Sequence, residues 1–129
     1  MTALTSAVMP LIVARGVLVG VGGKPADVDT RAYAVIWPDS PMRDPVTMNL
    51  THAYVETWTT HGYGLSEEAA GIARDAVTDA VYALWGAEVG GRVVQYPEHL
   101  TTLPLSVDRD ADPDLYSYTV EWRFRTSAA

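Results

Sequence analysis

From Leu115 to Arg125 the chain runs Leu-Tyr-Ser-Tyr-Thr-Val-Glu-Trp-Arg-Phe-Arg. Tyr116, Tyr118, Val120, Trp122 and Phe124 alternate with Ser117, Thr119, Glu121, Arg123 and Arg125. A period of two sorts such residues onto opposite faces of a pleated strand, so one face is aromatic and buried and the other charged. Slipping the pairing by one residue would turn four aromatic rings toward water, which fixes the register. The rest of the chain must then supply partner strands and a helix to cover the aromatic face.

The best candidate for that helix is Ser66 to Trp85. Ser66 is a good N-cap, and Glu67 and Glu68 fall in the first turn, where the helix dipole favours acids. Ala69, Ile72, Ala73, Ala76, Val77, Ala80, Val81 and Leu84 follow at three-and-four spacing. This narrow, alanine-rich stripe lets a helix lie close to a sheet. Gly86 stands where a left-handed C-terminal residue is usual.

Nearer the N-terminus, the apolar spacing predicts a helix over Ala7–Val19, capped by Thr5 or Ser6, with Pro10 in its first turn. A β-branched buried strand competes for the same stretch. Gly20 to Thr30 is a turn region. Tyr33–Trp37 is a short strand ended by Pro38, and the three prolines of Pro38–Pro45 make a projecting loop, about 38–47. Val46–Thr60 is rich in threonine and aromatics and is expected as a strand, broken or bulged near Thr51 or His52 and ended by the glycines of His61–Leu65. Met48, Leu50, Tyr54 and Trp58 share one face with His52 and Glu56. Arg92–Tyr96 and Leu103–Asp108 are further strands, the latter with Leu103, Leu105 and Val107 on one face. An acidic hairpin turn, 109–114, leads into the last strand. The expected fold is α+β: a mainly antiparallel sheet of about four to five strands with two helices packed on one face, in a single domain over 1–129.

Composition narrows the function. The formal net charge is −7, and Lys24 is the sole lysine. A surface that grips nucleic acid or an anionic membrane needs clustered bases, and this chain lacks them. It does not preclude a protein past which DNA slides. Absence of cysteine removes disulfides, thiolate nucleophiles and thiolate zinc sites. The apolar run Ala7–Ala14 is too short to span a membrane and has no positive region before it, so a cytosolic origin is expected.

Motifs for chemistry fail on particular residues. Gly20-Val21-Gly22-Gly23-Lys24 has Leu18 where a P-loop needs its first glycine and Pro25 where it needs a hydroxyl for magnesium. Asp108, Asp110 and Asp112 start like a calcium loop, but Pro113 and Thr119 stand where glycine and a bidentate glutamate are required. His52, His61 and His99 show no zinc spacing, and no nucleophile elbow occurs. Nothing singles out a carboxylate pair. No enzyme, cofactor or metal is expected. Tyr116, Tyr118 and Trp122 do not match a base-stacking platform, because Arg123 and Arg125 lie on the other face. The face with Glu121, Arg123 and Arg125 is either plainly solvated or pairs with acids of a neighbouring subunit.

The order of elements, closing on Leu-Pro-Leu-Ser-Val-Asp and Tyr-Ser-Tyr-Thr-Val-Glu-Trp-Arg-Phe-Arg, resembles the tail terminator (tail completion) proteins of long-tailed phages, particularly those of actinobacterial phages. The resemblance covers roughly Ala7 to Arg125. It implies a virion structural protein forming a hexameric ring at the head–tail junction. That ring caps the tail tube, meets the head connector and lets DNA pass through without specific binding. The Pro38–Pro45 loop would be an arm, and Met42, Arg43, Asp44, Glu121, Arg123 and Arg125 are the inferred subunit or tube contacts. Another connector or tube subunit is a near variant. A small-ligand-binding or enzymatic α+β domain is the alternative of a different class.

Overall fold

The computed structural model describes residues 2–26, 32–39, 42–43 and 54–128. Within them lie two helices, α1 (Ala3–Val13) and α2 (Glu67–Ala83), and one eight-stranded sheet. Its strands are β1 (Leu18–Val21), β2 (Tyr33–Pro38), β3 (Met42–Arg43), β4 (Tyr54–Gly64), β5 (Glu88–Val89), β6 (Arg92–Val94), β7 (Glu98–Asp108) and β8 (Leu115–Ala128). The order is β1-β2-β4-β8-β6-β5, with β3 also on β4 and β7 also on β8. The α+β class holds, but the sheet has more strands than the expected four to five. The extra ones are short pieces around turns, which alternation cannot reveal, and β1, which looked helical. Among the described residues only β1 and β2 pair in parallel.

β8 sits at the centre. It pairs with the full length of β4 on one side, and with β7 and β6 on the other. Trp58 faces Trp122 across the β4–β8 pair, and Trp58 also packs on Phe124 with ring centroids 4.3 Å apart. Val120, Trp122 and Phe124 are buried as the alternation requires, while Tyr116 and Tyr118 are only half-buried toward the strand's start. Both helices share this face. Leu4, Val8 and Ile12 of α1 join Ala73, Val77 and Val81 of α2 in one core with the strand residues.

The first helix lies earlier in the chain than its spacing predicted. Thr2, not Thr5 or Ser6, is the N-cap: its hydroxyl accepts from the Thr5 amide at 3.2 Å, and Thr5 Oγ1 accepts from the Thr2 amide at 3.0 Å. Pro10 therefore falls inside the helix. The carbonyl of Ser6 loses its partner, but Ser6 and Pro10 both lie on the exposed side. Burial of Leu4, Val8 and Ile12 along one stripe outweighs that loss. The β-branched alternative holds beyond Gly16, where Leu18–Val21 is strand.

Helix α2 forms as expected between the Ser66 cap and a left-handed Gly86 (φ 78°). Its buried stripe is turned slightly from the predicted one: Ala70 is buried and Ile72 exposed. The strand beneath explains this. β4 does not stop at His61 but runs on to Gly64, and its glycines let the helix backbone touch it. A Cβ on Gly62 would lie 2.5 Å from the Arg74 nitrogen, and one on Gly64 would lie 2.5 Å from the Ala69 Cβ. Gly62 is a contact surface inside the strand, and Gly64, where β4 ends within the expected stretch, touches the helix as well.

β7 begins at Glu98, earlier than predicted, and carries register shifts between His99 and Thr101 and between Leu103 and Ser106. The second shift overturns the expected single face. Leu103 pairs with Thr119, while Val107 pairs with Tyr116 on the helix side. β6 ends at Val94, short of the expected Tyr96. The expected break at Thr51 or His52, and most of loop 38–47, lie outside the described residues.

Candidate functional site

Alternation along β4 and β8 sends one set of side chains to the helices and the other to a sheet face that no described helix covers. On β4 the outward set is Val55, Thr57, Thr59, His61 and Tyr63; on β8 it is Ser117, Thr119, Glu121, Arg123 and Arg125. All are half-exposed. This face holds the expected contact residues Glu121, Arg123 and Arg125. Met42 and Arg43 form β3 and pair with Val55 and Tyr54. Because Val55 also pairs with Arg125, Met42 and Arg125 stand in one row across β4. Asp44 lies outside the described residues.

The arginines already have an internal partner that sequence spacing did not point to. Glu98, at the start of β7, opposes Arg123 in the ladder. Its carboxylate lies 3.5 Å from Arg123 Nη1 and also pairs with Arg125 Nη1. The pairs are partly exposed, so each contributes only about 0.2–1 kcal/mol. With Glu121, the two bases and two acids of this cluster cancel. The neighbouring surface is hydroxyl-rich and uncharged. His61 Nδ1 lies 2.8 Å from Thr119 Oγ1, and burial pushes its pKa below the ordinary 6.5, favouring the neutral ring. Tyr33 and Tyr63 stack at 4.9 Å, and burial raises both phenols above 10.0. The face thus offers hydrogen bonds without a field that would hold a polyanion.

β7 is a second exposed feature. It is paired on one side by β8, and Leu100 and Leu103 are exposed along it. Strand edges of this kind are templates for contact with another chain. Beside it, Tyr82, Trp85 and Tyr96 form an exposed ring cluster. Neither was legible in the sequence, since Trp85 lies at a helix end and Leu100 is displaced at a register shift.

A cavity of about 250 Å³ lies at the start of α1, lined in part by Tyr54, Glu56, Arg92 and Thr126. Its polar groups are committed to the fold. Glu56 is buried on the helix side of β4, and its Oε2 accepts from the Thr2 hydroxyl (2.9 Å) and the Trp58 indole. Arg92 donates to Thr126 Oγ1 and to the Thr126 carbonyl, each at 2.9 Å, and lies over the Tyr54 ring. Among the described residues no cluster of three or more His, Asp or Glu side chains comes together to hold a metal. Among the described residues no helix is long and apolar enough to cross a membrane.

This is an α+β fold with one sheet face that no described helix covers. No protein-family model matches the chain, and no curated protein matches it in sequence. In fold it is similar to a chain from the virion of a native gene transfer agent (GTA) particle. The TM-score is 0.53 at 19% identity, over 96% of this chain and 88% of that one.

Proposed function

We propose that this chain is a virion structural protein, and specifically a tail terminator. Copies assemble as a hexameric ring that closes the tail tube and joins it to the head connector. The observation that carries the virion assignment is the fold likeness to a virion chain along almost the full length of this one. The open sheet face supports the more specific role. Its two arginines are balanced by Glu98 and Glu121, and its remaining groups are Val55, hydroxyls and neutral rings, which suits a lining past which DNA slides without being held. Met42, Arg43, Asp44, Glu121, Arg123 and Arg125 are assigned to subunit or tube contacts; of these, Met42 stands in one row with Arg125 across β4. The exposed β7 edge adds a surface that a closed ring would cover.

Native mass spectrometry of the purified chain over a concentration series, with and without isolated tail tubes, tests this. Six-subunit rings, free or formed on tubes, support it. A chain that stays monomeric and also fails to bind tubes overturns it.

A further inference from the structure

Glu56 is a carboxylate taken out of water with no cation beside it. It is 5% exposed. The bonds that commit it to the fold come from neutral donors and use one oxygen: Oε2 accepts from the Thr2 hydroxyl at 2.9 Å and from the Trp58 indole. Oε1 has no partner among the described residues. A buried carboxylate is costly unless a cation or further donors answer it. Glu56 lines the cavity of about 250 Å³ at the start of α1, and a base lines the same cavity. Arg92 donates through Nε and Nη2 to Thr126 and lies 4.6 Å from the Tyr54 ring centroid, which leaves Nη1 without a partner among the described residues. The two opposite charges form no ion pair with each other. Ala3, Leu4, Val89 and Tyr54 make the rest of the lining mainly apolar.

We propose that this cavity binds a small aliphatic α-amino acid as its zwitterion. The ammonium group donates to Glu56, the carboxylate accepts from Arg92, and the side chain rests on Leu4 and Val89. Charge selects a zwitterion. A lone cation would face Arg92, and a lone anion would face Glu56. A ligand carrying both charges gives each group a charge-assisted hydrogen bond and adds no net charge to the site. Size selects a small one, since the cavity falls below the roughly 300–1,000 Å³ of drug-sized sites. The apolar lining selects an aliphatic side chain. A chain terminus of a partner protein brings only one of the two charges. The bound molecule would touch α1, β4 and β6 together, so it should hold the first helix on the sheet. The proposal does not rest on the tail-terminator reading, and the failure of either leaves the other standing.

The test titrates the full chain with L-valine and with three molecules of nearly the same shape: isobutylamine, which lacks the carboxylate, isovalerate, which lacks the ammonium, and isovaleramide, which is neutral. Binding is followed by NMR at the Trp58 indole N–H, which bonds Glu56, and at the Arg92 Nε–H. L-Valine is expected to shift both signals and the amides of Ala3 and Gly90, with saturation. The other three should bind at least about tenfold more weakly, each having lost a charge-assisted bond. Glu56→Gln, which keeps the shape and the acceptor for Trp58, should weaken L-valine about tenfold. Ala3→Leu is the second variant should Glu56→Gln fold badly. It lies at the exposed start of α1, fills the cavity without touching either charge, and should abolish binding with the unfolding midpoint unchanged. Absence of saturable shifts with L-valine would overturn the proposal. So would isovaleramide or isobutylamine binding as tightly as L-valine, or binding that Ala3→Leu leaves intact.

Discussion

Gly62→Ala tests the packing of α2 on β4 most sharply. The new methyl would stand 2.5 Å from the Arg74 nitrogen, 3.0 Å from the Ala70 carbonyl oxygen and 3.0 Å from the Arg74 Cα. All three are helix backbone, so no side chain can swing aside. Relief requires lifting the helix by about 1 Å, since carbon contacts settle near 3.5 Å. That lift opens gaps over Ala73, Val77 and Val81, all buried against the sheet. Overpacking of a core costs about 1–3 kcal/mol, and a backbone clash belongs at the upper end. At roughly 4 °C per kcal/mol for a domain of this size, the midpoint should fall by about 10 °C. Gly71→Ala is the control of opposite sign. Its Cβ meets nothing closer than 3.8 Å, and replacing a mid-helix glycine adds about 0.5–1 kcal/mol. Urea unfolding of both variants decides the matter. A Gly62→Ala protein within about 0.5 kcal/mol of the parent, or a Gly71→Ala protein destabilised as much as Gly62→Ala, would refute the close-approach account.

Thr60→Val removes the hydroxyl that accepts from the buried Trp122 indole at 3.2 Å and donates to the Val120 carbonyl at 3.0 Å; a loss of about 1–3 kcal/mol is expected in urea unfolding. Thr2→Ala removes both the cap of α1 and a donor to buried Glu56, and should cost about 1–2 kcal/mol, with helical circular dichroism lost first. His61 sets a pH dependence of known sign. Burial depresses its folded pKa below 6.5, so the unfolded chain takes up the proton first. Its contribution is complete above about pH 6.5 and is lost as the pH falls through the lower folded value. Stability profiles of the parent and His61→Gln should converge in slope above that point. An imidazole NMR titration at or above 6.5 would contradict this.

The elements visible in the sequence were those whose pattern and burial agree. β8 alternates because one face meets the helices, and α2 carries its cap, first-turn acids and terminal glycine in the expected places. The failures have physical causes. A capping box at Thr2 and a stripe of Leu4, Val8 and Ile12 start α1 where proline placement argued otherwise. Gly62 and Gly64 look like strand breakers, yet they serve close packing with a helix distant in sequence. The register shifts in β7 undo the alternation of Leu103, Leu105 and Val107. On the candidate face, Glu121, Arg123 and Arg125 were visible from alternation, but their partner Glu98 was not, because strand pairing brings it there. Trp85 and Tyr96 show their exposure only once α2 and β6 end beside each other.

The tail-terminator assignment is tested most directly by adding gold-labelled chain to purified tail tubes and imaging them by electron microscopy. The account predicts label at a single end of each tube and arrest of further tube growth at that end. Label along the tube walls, or tubes that keep growing with no label at their ends, would contradict it.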